Sequence, residues 1–283
     1  MRWQGREESG NVEDRRGIGG GHIAVGGGII GIIALLVNLL SGGEIDTSRL
    51  QIPGGRQSRE LSAQEKAEQD TLAKFSKVVL RETELVWQKI LPEQSNVRYE
   101  DPTLVLFTDA VQSGCGNASS ATGPFYCPAD NKLYLDLSFF KDLTNRFHAA
   151  GDFAMAYVIA HEVGHHIQTL LGTSQKMARL RQRLSEEEYN KYSVMMELQA
   201  DYLAGVWAHY VQGKGLLDAD DIDEALRAAN AIGDDQLQKQ ARGYAVPETF
   251  THGTSAQRMY WLKKGYQTGD ISQGDTFSAR ELQ

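Results

Sequence analysis

The chain has 283 residues, 41% hydrophobic and 23% charged, a globular composition that excludes a wholly disordered protein. It holds 29 Lys and Arg against 37 Asp and Glu, a net charge of −8, so it lacks the cation excess that would make nucleic acid a main partner. The charges of residues 1–22 balance and residues 23–43 carry none, so the acid excess lies wholly beyond position 43.

Ile23 to Leu40 is an eighteen-residue run without a charge. As a helix it would extend ~27 Å, close to the thickness of a bilayer core. Arg15 and Arg16 precede it, while Glu44 and Asp46 follow it. That asymmetry predicts a single-pass anchor in the bacterial inner membrane, with the N-terminus cytoplasmic and the main domain extracytoplasmic. A cleaved signal peptide is the competing reading, because Ser41, Gly42 and Gly43 follow the apolar run. The expected organisation is a cytoplasmic segment over 1–22, a transmembrane anchor over 23–40, a linker over 41–61 and one domain over 62–283.

Ser62 and Glu65 form a capping-box pattern, and an apolar stripe of Leu72, Phe75, Val79, Val86 and Ile90 predicts a helix that Pro92 ends. Thr103–Thr108, Phe125–Cys127 and Leu133–Leu137 read as strands. Leu133–Leu137 is the expected sheet edge for an extended peptide. Cys115 and Cys127 sit twelve apart, too far for a usual zinc pair, and read either as a short-loop disulfide or as two reduced thiols. After Ser138 the pattern is helical, with helices expected near 152–171, 186–212, 220–231, 234–241 and 255–268. Strands followed by helices predict an α+β domain, predominantly helical with a small sheet.

The run Tyr157-Val-Ile-Ala-His161-Glu162-Val-Gly-His165-His166 carries the chemistry. On a helix, His161 and His165 lie one above the other and can share one zinc ion. Glu162 sits about 100° further round, where a base for a metal-activated water belongs. Two His leave zinc under-coordinated, so a third ligand is required. Glu197 and Asp201 lie four apart in a helix rich in Met and Ala, where carboxylates need a partner. Glu197 is the expected third ligand, with His209 the alternative, and Asp201 the expected acceptor for a ligand imidazole. His252, on a loop before a helix that holds Arg258, is the candidate oxyanion donor, with Arg258 helping or orienting it.

Several ordered stretches are similar to the bacterial YpfJ-type putative neutral zinc metallopeptidase family. They include Met1-Arg-Trp-Gln-Gly-Arg6, Asn11-Val-Glu-Asp-Arg-Arg16, Gly123-Pro-Phe-Tyr-Cys-Pro-Ala-Asp130, the HEVGHH run, Glu197-Leu-Gln-Ala-Asp201 and Phe250-Thr-His-Gly-Thr-Ser255. The resemblance implies a zincin-like domain of gluzincin type, with His161, His165 and Glu197 on one zinc and Glu162 as base. Members often carry Cys where this chain has Tyr202 and another near Gln273-Gly274, which implies a pair of positions changed together. The expected activity is hydrolysis of a peptide or protein substrate. A non-catalytic zinc-binding envelope scaffold and an amidase acting on cell-wall peptide are the alternatives.

Overall fold

The stretch around the His pair has almost no polar face, and the fold is arranged to bury it. The computed structural model describes residues 1–17 and 62–282. Their architecture is a mostly helical α+β domain. The segment 23–40 and the expected linker over 41–61 lie outside the described residues.

Helix α1 (Ala63–Ser95) starts at the Ser62–Glu65 capping box. It does not stop at Pro92. A proline deletes one hydrogen bond to the residue four back, and in the last turn this loss is small. The helix ends instead at Asn96, in the left-handed conformation at φ 57°.

The strands are β1 (Val12–Asp14), β2 (Thr103–Phe107), β3 (Ala110–Ser113), β4 (Gly116–Ser119), β5 (Phe125–Cys127) and β6 (Lys132–Asp136). Four of them form a sheet in the order β1-β2-β6-β5, and β3 and β4 form a separate hairpin. Strands β1 and β6 flank β2 in parallel, while β5 runs antiparallel to β6. The edge expected at Leu133–Leu137 is therefore corrected: β6 is interior, and among the described residues β1 and β5 are the edge strands. Pairing over long sequence distance decides this, and strand composition does not reveal it. Cys115 and Cys127 are joined in a disulfide that ties the β3–β4 hairpin to β5.

The N-terminal residues belong to the same folded body. Val12 pairs with Leu104 and Asp14 with Leu106. The Met1 ammonium lies 2.7 Å from Asp152 and 3.0 Å from Asp221. Ser9 donates to buried Glu84, and Arg16 reaches Asp70 in the second turn of α1. This corrects the predicted membrane topology, which would place residues 1–17 and 62–282 on opposite faces of a bilayer. Among the described residues no helix is long and apolar enough to cross a membrane. A transmembrane helix ahead of the domain, and the inner-membrane location built on it, are thus not supported.

The helical part contains α2 (Ser138–Asn145), α3 (Asp152–Leu170), α4 (Thr173–Arg181), α5 (Glu186–Gly213), α6 (Asp221–Ala231), α7 (Asp234–Arg242) and α8 (Ser255–Thr268). Helix α3 is central, touching α1, α5, α6 and β5. Every residue from Ala156 to Gln168 is buried. A helix apolar on nearly all sides requires this central place. Gly164 sets its distance to α5: a Cβ there would lie 2.9 Å from the Ala200 carbonyl oxygen and 3.1 Å from its Cα. Helices α5 and α8 meet as closely at Gly205 and Gly265, where a Cβ would meet backbone at 2.1 and 2.0 Å. The two approaches set α5 tightly between α3 and α8. Tyr202 and Gly274 are also adjacent, since a Cβ on Gly274 would fall 2.4 Å from the Tyr202 ring. The aromatic side chain fills the space that the glycine leaves.

Candidate metal centre

His161 and His165 are one turn apart on α3, with ring centroids 4.8 Å apart. Helix α5, held close by Gly164, presents Glu197 to both. Its Oε2 is 3.1 Å from His161 Nε2, and its Oε1 is 3.4 Å from His165 Nε2. The three side chains offer ligand atoms that all lie within 4.8 Å of one another, and all three are buried.

The other edge of each imidazole is fixed. His161 Nδ1–H donates to Asp201 Oδ1 at 2.8 Å. His165 Nδ1 lies 2.8 Å from Gln168 Oε1. Gln168 Nε2 donates to the Met196 carbonyl at 2.7 Å and to Gln199 Oε1 at 3.1 Å. Its amide can then face His165 only with oxygen, so His165 carries its proton on Nδ1. That leaves Nε2 as the edge facing Glu197, and His165 Nε2 has no hydrogen-bond partner although it is buried. Buried polar atoms are seldom orphaned, and both imidazoles carry an outer hydrogen bond of the kind that orients metal ligands. Two imidazole nitrogens and one carboxylate suit zinc, so the residues fit the ion.

Asp201 holds more than His161. Tyr157 Oη donates to Oδ1 at 2.6 Å, and Arg258 spans both oxygens from Nε at 2.8 Å and Nη2 at 3.0 Å. Burial pushes the Asp201 carboxyl up, yet Arg258 and His161 hold it down at about 2. Arg258 is therefore committed to Asp201, and its Nη1 donates to the Ile232 carbonyl. Burial also pushes Glu197 up, but the two histidines bring it well below the usual carboxylate range.

Glu162 is buried in the same cleft, beside His161 and Glu197. Burial raises its carboxyl above the usual range, against the pull of His165 and His161. His252 lines this cleft too. Its Nδ1 lies 3.1 Å from Asp234 Oδ1 and 2.9 Å from Thr251 Oγ1. Asp234 Oδ2 accepts the backbone N–H groups of Thr251, His252 and Gly253 at 2.8, 2.7 and 3.0 Å. One carboxylate thus pins the loop and its imidazole, leaving His252 Nε2 buried without a partner.

His209 and His166 have other partners. His209 Nδ1 donates to the Tyr266 carbonyl, so His209 is not in the group. His166 Nε2 donates to the Glu100 carbonyl at 2.6 Å, and Tyr126 lies at its Nδ1. Gln168 and Asp234 are absent from the sequence reading of the site, and Tyr157 opens its decisive run without a role of its own. Tyr157 is one turn before His161, and Gln168 is three residues after His165, so helical spacing marks both. Asp234 precedes His252 by 18 positions, and no local pattern links them.

A family model described as "Putative neutral zinc metallopeptidase" matches residues 1–277. "Uncharacterized protein YpfJ" of Escherichia coli (strain K12) is 46% identical over 284 residues, covering 98% of this chain and 99% of that protein. "Uncharacterized protein Rv2575" of Mycobacterium tuberculosis (strain H37Rv) is 45% identical over 208 residues, covering 70% of this chain and 68% of its own length. No solved structure matches significantly. With a buried His-His-Glu set and a match that runs almost end to end, the chain belongs to the putative neutral zinc metallopeptidase family.

Proposed function

We propose that this chain hydrolyses peptide bonds, with one zinc ion held by His161, His165 and Glu197 and with Glu162 as general base. The observation that carries the reading is the convergence of three buried ligand groups, with both imidazoles anchored at Nδ1, on a cleft that also holds Glu162. Zinc, when bound, supplies a Lewis acid that lowers the pKa of water toward ~7 and polarises a carbonyl oxygen.

The chain's own groups do the rest. Glu162 takes the proton from the attacking water and returns it to the leaving amine. A carboxyl raised by burial suits both transfers, because its pKa moves toward the working pH. His252, with protons on both ring nitrogens and Asp234 as its counter-charge, donates from Nε2 to the oxygen that becomes negative in the transition state. Asp234 and Thr251 hold the ring by its other edge, so little reorganisation is needed. Asp201 keeps His161 in the ligating tautomer, and Arg258 keeps Asp201 ionised. The open edge of β5, packed against α3, offers backbone groups to an extended substrate.

A scaffold that uses zinc only structurally would close the ion with four protein ligands. Among the described residues the group around His161 has three members, which supports the catalytic reading. Digestion of a peptide library by the zinc-loaded chain, before and after chelation, tests it. Cleavage that stops on chelation and returns with zinc is expected. A zinc-loaded chain that cuts no peptide would remove the reading.

A further inference from the structure

Glu162, His166 and Thr169 follow one another at steps of four and three residues, so they share one face of α3. That face meets Tyr126 of β5. Burial raises the Glu162 carboxyl, and the backbone N–H of Tyr126 is among the groups that draw it back, which puts that N–H beside the carboxylate. The Tyr126 hydroxyl lies 3.1 Å from His166 Nδ1. Burial pushes this hydroxyl up to about 12, and Thr169 is the hydrogen-bonding neighbour that opposes the rise. The pair His161 and His165 looks instead toward Glu197 on α5.

His166 is buried, and both of its ring nitrogens are engaged. Nε2 donates to the Glu100 carbonyl at 2.6 Å, in the segment that leads into β2, while Nδ1 faces Tyr126. The ring stands edge-on to Tyr99 and Tyr126, with centroids 5.7 and 5.4 Å away. Strand β5 has need of such a hold. It is three residues long and pairs with β6 alone, so few backbone bonds fix its distance from α3. A buried hydrogen bond adds little net stability, but it fixes distance and direction in a way that apolar packing does not.

We infer that His166 is a positioning residue: through the Tyr126 hydroxyl it sets the gap between β5 and Glu162, and so holds a peptide paired to β5 against the base. The inference rests on the peptidase reading, and it gives a role to the histidine beside the ligand pair that metal binding leaves unused.

The test compares three variants of the full chain. Tyr126→Phe removes the hydroxyl alone, His166→Leu removes both ring nitrogens, and His166→Asn restores a polar atom near the place of Nδ1. In the zinc-loaded chain, Tyr126→Phe and His166→Leu should each lower kcat on a cleaved library peptide about tenfold or more while KM changes less than about twofold. His166→Asn should recover most of that loss. In the metal-free chain, amide hydrogen exchange at Tyr126 and Cys127 should quicken in the first two variants, with the amides of α3 unchanged. A residue that served only the core would lower the melting temperature and leave kcat alone. Tyr126→Phe that keeps the kcat of the unaltered chain, exchange that stays slow, or equal losses in His166→Leu and His166→Asn would overturn the inference. Failure of the peptidase reading is distinct: there the unaltered chain itself cuts no peptide, whereas failure of the inference leaves an active chain whose variants match it.

Discussion

His161 Nδ1 lies 2.8 Å from Asp201 Oδ1, and Arg258 grips both oxygens of the same carboxylate. One aspartate from α5 therefore orients the candidate ligand His161 on α3 and neutralises a buried cation on α8. Replacing it by Asn leaves Arg258 buried without a counter-charge, for which ~3–5 kcal/mol of stability is the usual loss. Asp201→Asn is expected to lower the melting temperature markedly and to weaken zinc binding ~10–100-fold. Thermal melts and chelator-competition titrations check this, and an unchanged zinc affinity would separate Asp201 from the metal site.

Gln168 should matter to zinc without touching it. Its oxygen accepts from His165 Nδ1, and its nitrogen is tied to Met196 and Gln199. Gln168→Leu frees the imidazole to turn or change tautomer. Zinc affinity should fall ~10–100-fold. Nitrogen-15 imidazole spectra of the metal-free protein should show His165 losing its preference for a proton on Nδ1.

The approach of α3 to α5 sets the ligand geometry, and Gly164 permits it. Gly164→Ala would place a methyl 2.9 Å from the Ala200 carbonyl oxygen, where backbone must move. Overpacking of this kind costs ~1–3 kcal/mol. The variant should melt earlier and bind zinc more weakly, because Glu197 moves with α5. Full zinc affinity in a destabilised variant would show that the ligands tolerate the shift.

Zinc affinity should rise with pH. Burial pushes the His161 imidazole down, but Asp201 and Glu197 lift it from 6.5 to about 10, and His165 is raised as well. In the metal-free chain the folded value exceeds the unfolded one. The protonated ring therefore stabilises the fold fully below about pH 6.5, and that contribution is lost as pH rises through about 10. Zinc competes with the same protons, so its affinity gains up to about tenfold per pH unit for each proton displaced. Calorimetric titrations from about pH 6 to about pH 8, in buffers of different ionisation enthalpy, measure both affinity and proton release. A flat profile would contradict protonated ligands.

Glu162→Gln keeps the shape of the cleft and removes the base. Turnover should fall by at least ~10²–10⁴, the usual contribution of general base catalysis, with zinc content unchanged. Retained hydrolysis would take Glu162 out of the mechanism.

Much of the candidate site is legible because helices write it locally. The i, i+4 spacing of His161 and His165, and of Glu197 and Asp201, puts each pair on one helical face. What escaped the sequence depends on contacts between distant segments. The short strand Val12–Asp14 has no alternation to detect, and only its pairing with β2 makes it a strand. That pairing also defeats the topology suggested by the apolar run at 23–40, because charge asymmetry carries no information that Val12–Asp14 joins the main sheet. The sheet edges fall at β1 and β5, and not at β6, for a similar reason. The sequence suggests that Arg258 helps or orients His252, whereas its helix aims the guanidinium at Asp201.

The account stands most directly on the identity of the metal ligands. Zinc K-edge absorption on the stoichiometrically loaded chain should show one ion bound by two imidazole nitrogens and further oxygen donors at ~2.0–2.2 Å. Glu197→Ala should remove one oxygen donor while both imidazoles remain. A spectrum with fewer than two imidazoles, or one unchanged by Glu197→Ala, would contradict the His161, His165 and Glu197 centre.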